Sequence, residues 1–181
     1  MKNPFLIGTR IYLRPLDQAD APLLQPWMND AEVTRNLRAY RPFSLRDEEA
    51  FIDRIAKDEH AVAFGIVLRE TDRLIGTTGL HDLEFRNRHA QFGISLGDKN
   101  EWGKGYGTEA TRLVVEHAFM TVNLNRVWLH VYEDNRRGIR CYEKASFKQE
   151  GVLRHDIYRD GRYGNTIVMG ILRAEWDATR D

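Results

Sequence analysis

Apolar and polar positions alternate most cleanly in "HAQFGISLG". Ala90, Phe92, Ile94 and Leu96 fall on one side, and His89, Gln91, Gly93 and Ser95 on the other. Successive side chains of a strand point to opposite faces, so this segment reads as a strand with one apolar face. "RVWLHVY" repeats the pattern through Val127, Leu129 and Val131. "AVAFGIVL" and "RLIGTTGL" are rich in β-branched and apolar residues, and "ETDR" between them reads as a hairpin turn. "TRIYLRPL" forms a first strand ended by Pro15. Two long strands close the chain, joined at "RDGR", where Asp160-Gly161 is a strong hairpin signal.

Helical signals fill the rest. "DQADAPLLQPWMNDAEVTRNL" reads as one helix, with Asp17 or Asp20 as N-cap and Pro22 early. Ser44 opens a second in "SLRDEE", with acids in the first turn and Phe51, Ile52 and Ile55 at helical spacing. Ala110, Leu113, Val114, His117 and Ala118 mark one face of a third, stopped near Asn123 and Asn125. "RRGIRCYEKA" is a short fourth. The order is strand, two helices, three strands, helix, strand, helix, two strands. A meander followed by a strand–helix–strand crossover predicts an α/β (α+β) fold. Its central sheet is mixed, mostly antiparallel, of about seven strands flanked by about four helices.

Composition narrows the class. The 181 residues, 42% of them apolar, suit a single domain over 1–181 with a full core. Net charge is zero and the signs are interspersed, which gives no case for nucleic acid or a membrane as partner. Arg86, Arg88 and His89 read as solvated surface. Cys141 is the single cysteine, so there is no intrachain disulfide and no multi-cysteine metal site. No apolar run approaches the ~18 residues of a membrane span. "MKNPFLIGTR" has no long apolar stretch and meets arginine early. These features lead to the expectation of a soluble cytoplasmic protein. The histidines show no ligand spacing, so no metal is expected.

The candidate chemistry starts at "NEWGKGYGTEA". Gly103, Gly105 and Gly107 alternate there just before a helix, with Lys104 between two of them. Strand, glycine turn, helix exposes unpaired N–H groups at a helix N-terminus, and those groups with the helix dipole favour an anion such as diphosphate. The blander reading is a glycine-rich loop easing a tight turn. The dinucleotide fingerprint fits poorly, with Thr108 or Ala110 at the third small position and an antiparallel meander before it. No P-loop pattern is present.

"WGKGYG" after a strand, then "NRRGIRCYEKASF" one strand later, resembles the GNAT superfamily of N-acetyltransferases. "IGTRIYLRPLDQAD" and "EKASFKQEGVLRHDIYRDGRYGNTIVMGI" are similar to the ends of its ribosomal-protein N-terminal and spermidine acetyltransferase branch. The resemblance spans almost the whole chain. It implies acetyl-CoA as co-substrate, with its diphosphate over Gly103, Lys104, Gly105, Tyr106, Gly107 and Thr108, and its pantetheine arm along Ile94, Ser95 and Leu96. Trp102 departs from the family's usual Gln or Arg. The resemblance also makes Tyr142 the general acid toward the sulfur and gives Asn135 a contact with the coenzyme arm. Asn135 reads equally as a helix N-cap, and Tyr142 as a core aromatic. Gly138 and Ser146 stand where the family usually has alanine and glycine. Cys141 reads as a small buried hydrophobe rather than an acyl carrier.

The implied reaction is direct attack of a primary amine on acetyl-CoA. The acceptor is a small-molecule or peptide amine, and a homodimer is compatible with the resemblance. A non-catalytic acyl-CoA-binding module is the rival reading. No base stands out. The family's glutamate before the phosphate turn corresponds to Gln91, and Asp82, Glu84, His89, Glu133 and Asp156 are alternatives. An α-amino group, with a pKa of about 7.7–8.0 against about 10.4 for lysine, needs least help from a base.

Overall fold

The computed structural model describes residues 1–179. Eight strands form one sheet in the order β1-β2-β3-β4-β5-β6-β8-β7. They are β1 Leu6–Ile7, β2 Ile11–Pro15, β3 Val62–Leu68, β4 Leu74–Glu84, β5 His89–Leu96, β6 Arg126–Tyr132, β7 Lys148–Arg159 and β8 Arg162–Leu172. The helices are α1 Ala21–Met28, α2 Ala31–Thr34, α3 Leu45–Ile55, α4 Tyr106–Met120, α5 Arg136–Lys144 and α6 Arg173–Asp177. The mixed, mostly antiparallel sheet is the one the periodicity predicts. The extra strand is the two-residue β1, and the extra helices are α2 and α6. The first helical run is not continuous. Asp30 accepts the N–H groups of Glu32 and Val33 and so starts α2 as a separate turn.

All neighbouring strands are antiparallel except β5 and β6, which the α4 crossover makes parallel. These two pair only at His89↔Arg126, Ala90↔Val127 and Gln91↔Trp128. Beyond that point β5 stays on β4 as far as Gly76↔Leu96, while β6 stays on β8 as far as Tyr132↔Thr166. The sheet therefore splits into a V with an unpaired edge on each arm.

Each face has its own helices. Phe92, Val114, Phe119, Val127, Leu129 and Phe147 belong to the core under α4 and α5. Tyr12, Leu24, Ile52, Val67 and Leu74 form the smaller core under α1 and α3. Capping agrees with sequence at Ser44, whose side chain forms a reciprocal box with Asp47. Asp160 and Gly161 take left-handed φ values of 51° and 78° between β7 and β8.

The end of α5 explains one departure from the family pattern. Ser146 has φ 68°, and the N–H of Phe147 returns to the Tyr142 carbonyl at 3.0 Å. This is the left-handed position after a helix that glycine fills without steric cost. Serine there carries strain of roughly 1–2 kcal/mol, part of which is offset by the larger unfolded-state freedom of glycine. Ser146→Gly is therefore expected to stabilise the protein by about 1 kcal/mol. Thermal unfolding should show a rise of a few degrees; an unchanged or lower Tm would show that Ser146 is not strained.

Candidate active site

A cavity of about 680 Å³ occupies the V between β5 and β6. That volume is within the usual range for a ligand site. Gly97 donates its N–H to the Ile75 carbonyl at 3.0 Å, which sets the hydrogen-bond phase of the β4–β5 ladder. With that phase Gly93 and Ser95 face β4, whereas Ile94 and Leu96, past the last β5–β6 pair, turn their backbone groups into the V. The Leu96 carbonyl is already taken by Trp102 Nε1 at 2.8 Å. Ile94 keeps both its N–H and its carbonyl available to a ligand. Ile94 and Leu96 continue the apolar face of β5 but line the cavity instead of being sealed in the core.

The glycine turn follows from β5. Gly103 and Gly105 have φ 78° and 89°, a region other residues enter at a cost. Gly105 is the N-cap of α4, and no side chain caps that end. The first-turn N–H groups thus open onto the cavity with the positive end of the helix dipole. Gly107 is different. It has no positive φ, and a Cβ there would meet only Cys141 Sγ, Leu96 Cδ1 and Ile94 Cδ1 at 3.5–4.0 Å. Neither backbone nor packing requires glycine at 107, so the space in front of it is free for a ligand.

The turn is clamped from outside. Arg10 donates to the Lys104 carbonyl at 2.8 Å, pairs with Glu109 at 3.1 Å and lies 4.8 Å over the Tyr106 ring. Lys104 itself points away from the cavity and pairs with Glu101 at 2.9 Å. Lys104, then Arg73, holds the Glu101 carboxyl below its ordinary range. A lowered carboxyl pKa means this support is present at neutral pH and is lost as pH falls through the lowered value. Trp102 carries the Arg137 guanidinium 3.9 Å over its ring. Its departure from the family pattern therefore brings an indole that anchors Leu96 and stacks an arginine beside the turn.

On α5, Tyr142 is buried with its ring edge-on to Phe92 at 6.1 Å and beside Phe147. Burial pushes its phenol pKa up, so the hydroxyl stays protonated and keeps a proton to donate. Asn135 caps α5 by accepting the Gly138 N–H on Oδ1 at 2.9 Å. This leaves its amide NH₂ for another partner. A Cβ at Gly138 would lie 2.6–3.1 Å from the Asn135 amide atoms. The glycine that departs from the family's alanine is what lets Asn135 fold over the helix end. Cys141 is half-buried, its sulfur 3.4 Å from the Thr108 hydroxyl.

Residues 10–148 match the family model described as an acetyltransferase (GNAT) domain. The chain belongs to the GNAT acetyltransferases. N-acetyltransferase p20 of Bacillus licheniformis, itself uncharacterised, is 32% identical over 174 residues, covering 94% of this chain and 97% of p20. Spermidine N(1)-acetyltransferase of Escherichia coli K12 is 29% identical over 169 residues, covering 92% and 88%. The crystal structure of the Vibrio cholerae spermidine N-acetyltransferase with CoA and spermine superposes with a TM-score of 0.87 at 23% identity, over 93% of this chain and 99% of that one. As a GNAT enzyme the protein takes its acetyl group from acetyl-CoA and passes it to an amine.

The sequence-predicted residues converge on this one cavity. Ile94, Ser95, Leu96, Trp102, Gly103, Gly105 to Thr108, Asn135 and Tyr142 all line it; Lys104 does not. Two of the five candidate bases are held in structural roles. Glu84 accepts the N–H groups of Arg86 and Asn87, and Glu133 accepts from Asn165. His89 is partly buried, with Nδ1 lacking a protein partner. Sequence reasoning missed Arg38, His81, His130, Arg137 and Arg140, which also line the cavity. Arg137 and Arg140 carried a signal, since they lie in the same helical motif as Asn135 and Tyr142.

Gly107→Asp tests the turn. It should leave Tm near that of the parent, because the site has ordinary contacts, and should weaken acetyl-CoA binding at least about tenfold by charge repulsion against the diphosphate. Calorimetric titration reads both the affinity and the fold. Parental affinity would show that the turn does not hold the diphosphate. Gly105→Asp is a poorer test, since φ 89° strains any side chain there.

Proposed function

We propose that this acetyltransferase acts on the α-amino group of a peptide or protein rather than on a polyamine. One observation carries the reading: cations outnumber carboxylates on the cavity wall. Among its lining residues the acids are Asp82 and Glu101. Glu101 is neutralised by Lys104 and Arg73, and Asp82 lies 3.0 Å from the His81 ring. Arg38, Arg137, Arg140 and Lys144 line the same cavity. A polyamine brings several positive charges and would meet cations there. A peptide N-terminus brings one amine, which is substantially neutral near pH 8. The spermidine enzymes among its relatives make the polyamine the second reading to test.

In this reading the cradle holds the diphosphate, and the pantetheine arm takes the strand position that β6 leaves vacant. The Ile94 N–H lies where it can polarise the thioester carbonyl. The amine attacks directly, with rate gained by holding both reactants in one cleft. Tyr142 donates to the sulfur as it gains charge. Its raised pKa makes it a hydrogen-bond donor to the departing thiolate more than a strong acid. Asn135 would give its free NH₂ to the coenzyme arm.

The test is thiol release from acetyl-CoA with free-N-terminus peptides, spermidine and an aminoglycoside. Peptide turnover well above that of the other two is expected; preferred spermidine would overturn the acceptor reading. With the best amine, Tyr142→Phe should lower kcat about 10²–10⁴-fold with little change in acetyl-CoA affinity. A loss of only a few-fold would leave Tyr142 as a packing residue. Because the phenol pKa is raised, parental activity should not decline from Tyr142 ionisation up to about pH 10.

A further inference from the structure

The face of the V opposite Tyr142 holds an unassigned pair. His81 and Asp82 sit near the end of β4, where its ladder with β5 is interrupted between His81 and Glu84. Asp82 takes φ 52°, a left-handed value at the bulge. That turn brings Asp82 Oδ2 to 3.0 Å from His81 Nδ1. Nδ1 then carries the proton toward the carboxylate, and the Nε2 lone pair is left exposed. No protein group among the described residues bonds Nε2.

Nε2 lies over Gly93. A Cβ on Gly93 would be 3.7 Å from His81 Nε2 and Cδ2, and would meet nothing else within 4 Å. Gly93 precedes Ile94, whose N–H faces the V. The ring thus stands one residue along β5 from the group suited to the thioester carbonyl, with no side chain between. Other basic groups are placed less well. Gln91 has no useful basicity, and Asp156 pairs with Arg38 at 3.7 Å. His130 on β6 lines the cavity beside the Trp128 ring, 5.0 Å between centroids, and no carboxylate among the described residues hydrogen-bonds it.

We propose that His81 is the general base of the acetyl transfer and that Asp82 is its positioning residue. This rests on the reading that the acetyl thioester lies in the V. As the amine nitrogen forms its bond to the acetyl carbon, His81 Nε2 takes one proton from that nitrogen. The C–S bond then breaks, and the sulfur gains one proton through the Tyr142 hydroxyl. Exchange of both protons with solvent returns His81 and Tyr142 to their starting states, and the net products are the amide and CoA thiol. A His81 base also accounts for the absence of the family's glutamate at Gln91.

The experiment uses the full chain with the amine from the acceptor panel that the parent acetylates best. His81→Gln and His81→Ala should bind acetyl-CoA like the parent by calorimetry and lose about 10²–10⁴-fold in kcat. Imidazole should restore part of the rate to His81→Ala and none to Tyr142→Phe. Asp82→Asn should lower kcat with little change in KM, and Asp82→Glu should recover part of the loss. His81 variants within three-fold of the parent, or a loss confined to His130→Gln, would overturn the assignment. A parent that binds no acetyl-CoA would instead remove the underlying reading, and the inference with it.

Discussion

The structure depends on one ladder that stops early. The α4 crossover forces β5 and β6 to be parallel, and they pair over only three residues before parting. An unpaired strand edge inside a sheet leaves N–H and carbonyl groups without partners, a state proteins avoid where no ligand or water meets them. Here the neighbours β4 and β8 stay paired with each arm well past the point where β5 and β6 part. The result is a slot that offers strand pairing to an extended molecule, with the α4 N-terminus at its mouth. A pantetheine arm with amide groups, ending in a diphosphate, has the complementary chemistry.

The same split divides labour between the two faces. The α4–α5 side supplies the phosphate turn, Asn135 and the buried phenol of Tyr142. The opposite side supplies His81, Asp82, His130 and Arg38. Reactants entering from the two sides would meet at Ile94 and Gly93. The residues that depart from the family pattern serve this arrangement. Trp102 ties down the Leu96 carbonyl and stacks Arg137, and Gly138 makes room for the Asn135 cap.

Local pattern was enough for most elements. The alternation over β5 and β6, the Ser44 cap and the Asp160-Gly161 turn are all written in neighbouring residues. The V is not, because Ala90 through Leu96 read as one continuous apolar face. Only the distant register with β6 separates the buried Ala90 and Phe92 from the half-buried Ile94 and Leu96. The break before α2 was missed because its signal, Asp30, lies inside a run with helical periodicity. His81 looked like any polar position on a strand. Its partner Asp82 is brought to it by a left-handed backbone at the bulge, which no periodicity announces.

The most direct test of this account is hydrogen exchange at individual β5 amides with and without acetyl-CoA. The account predicts marked slowing at Ile94, whose N–H faces the V, and little change at Gly93, which faces β4. Slowing confined to the 103–108 turn with Ile94 unaffected would contradict it, because the coenzyme would then bind the helix end without entering the split sheet.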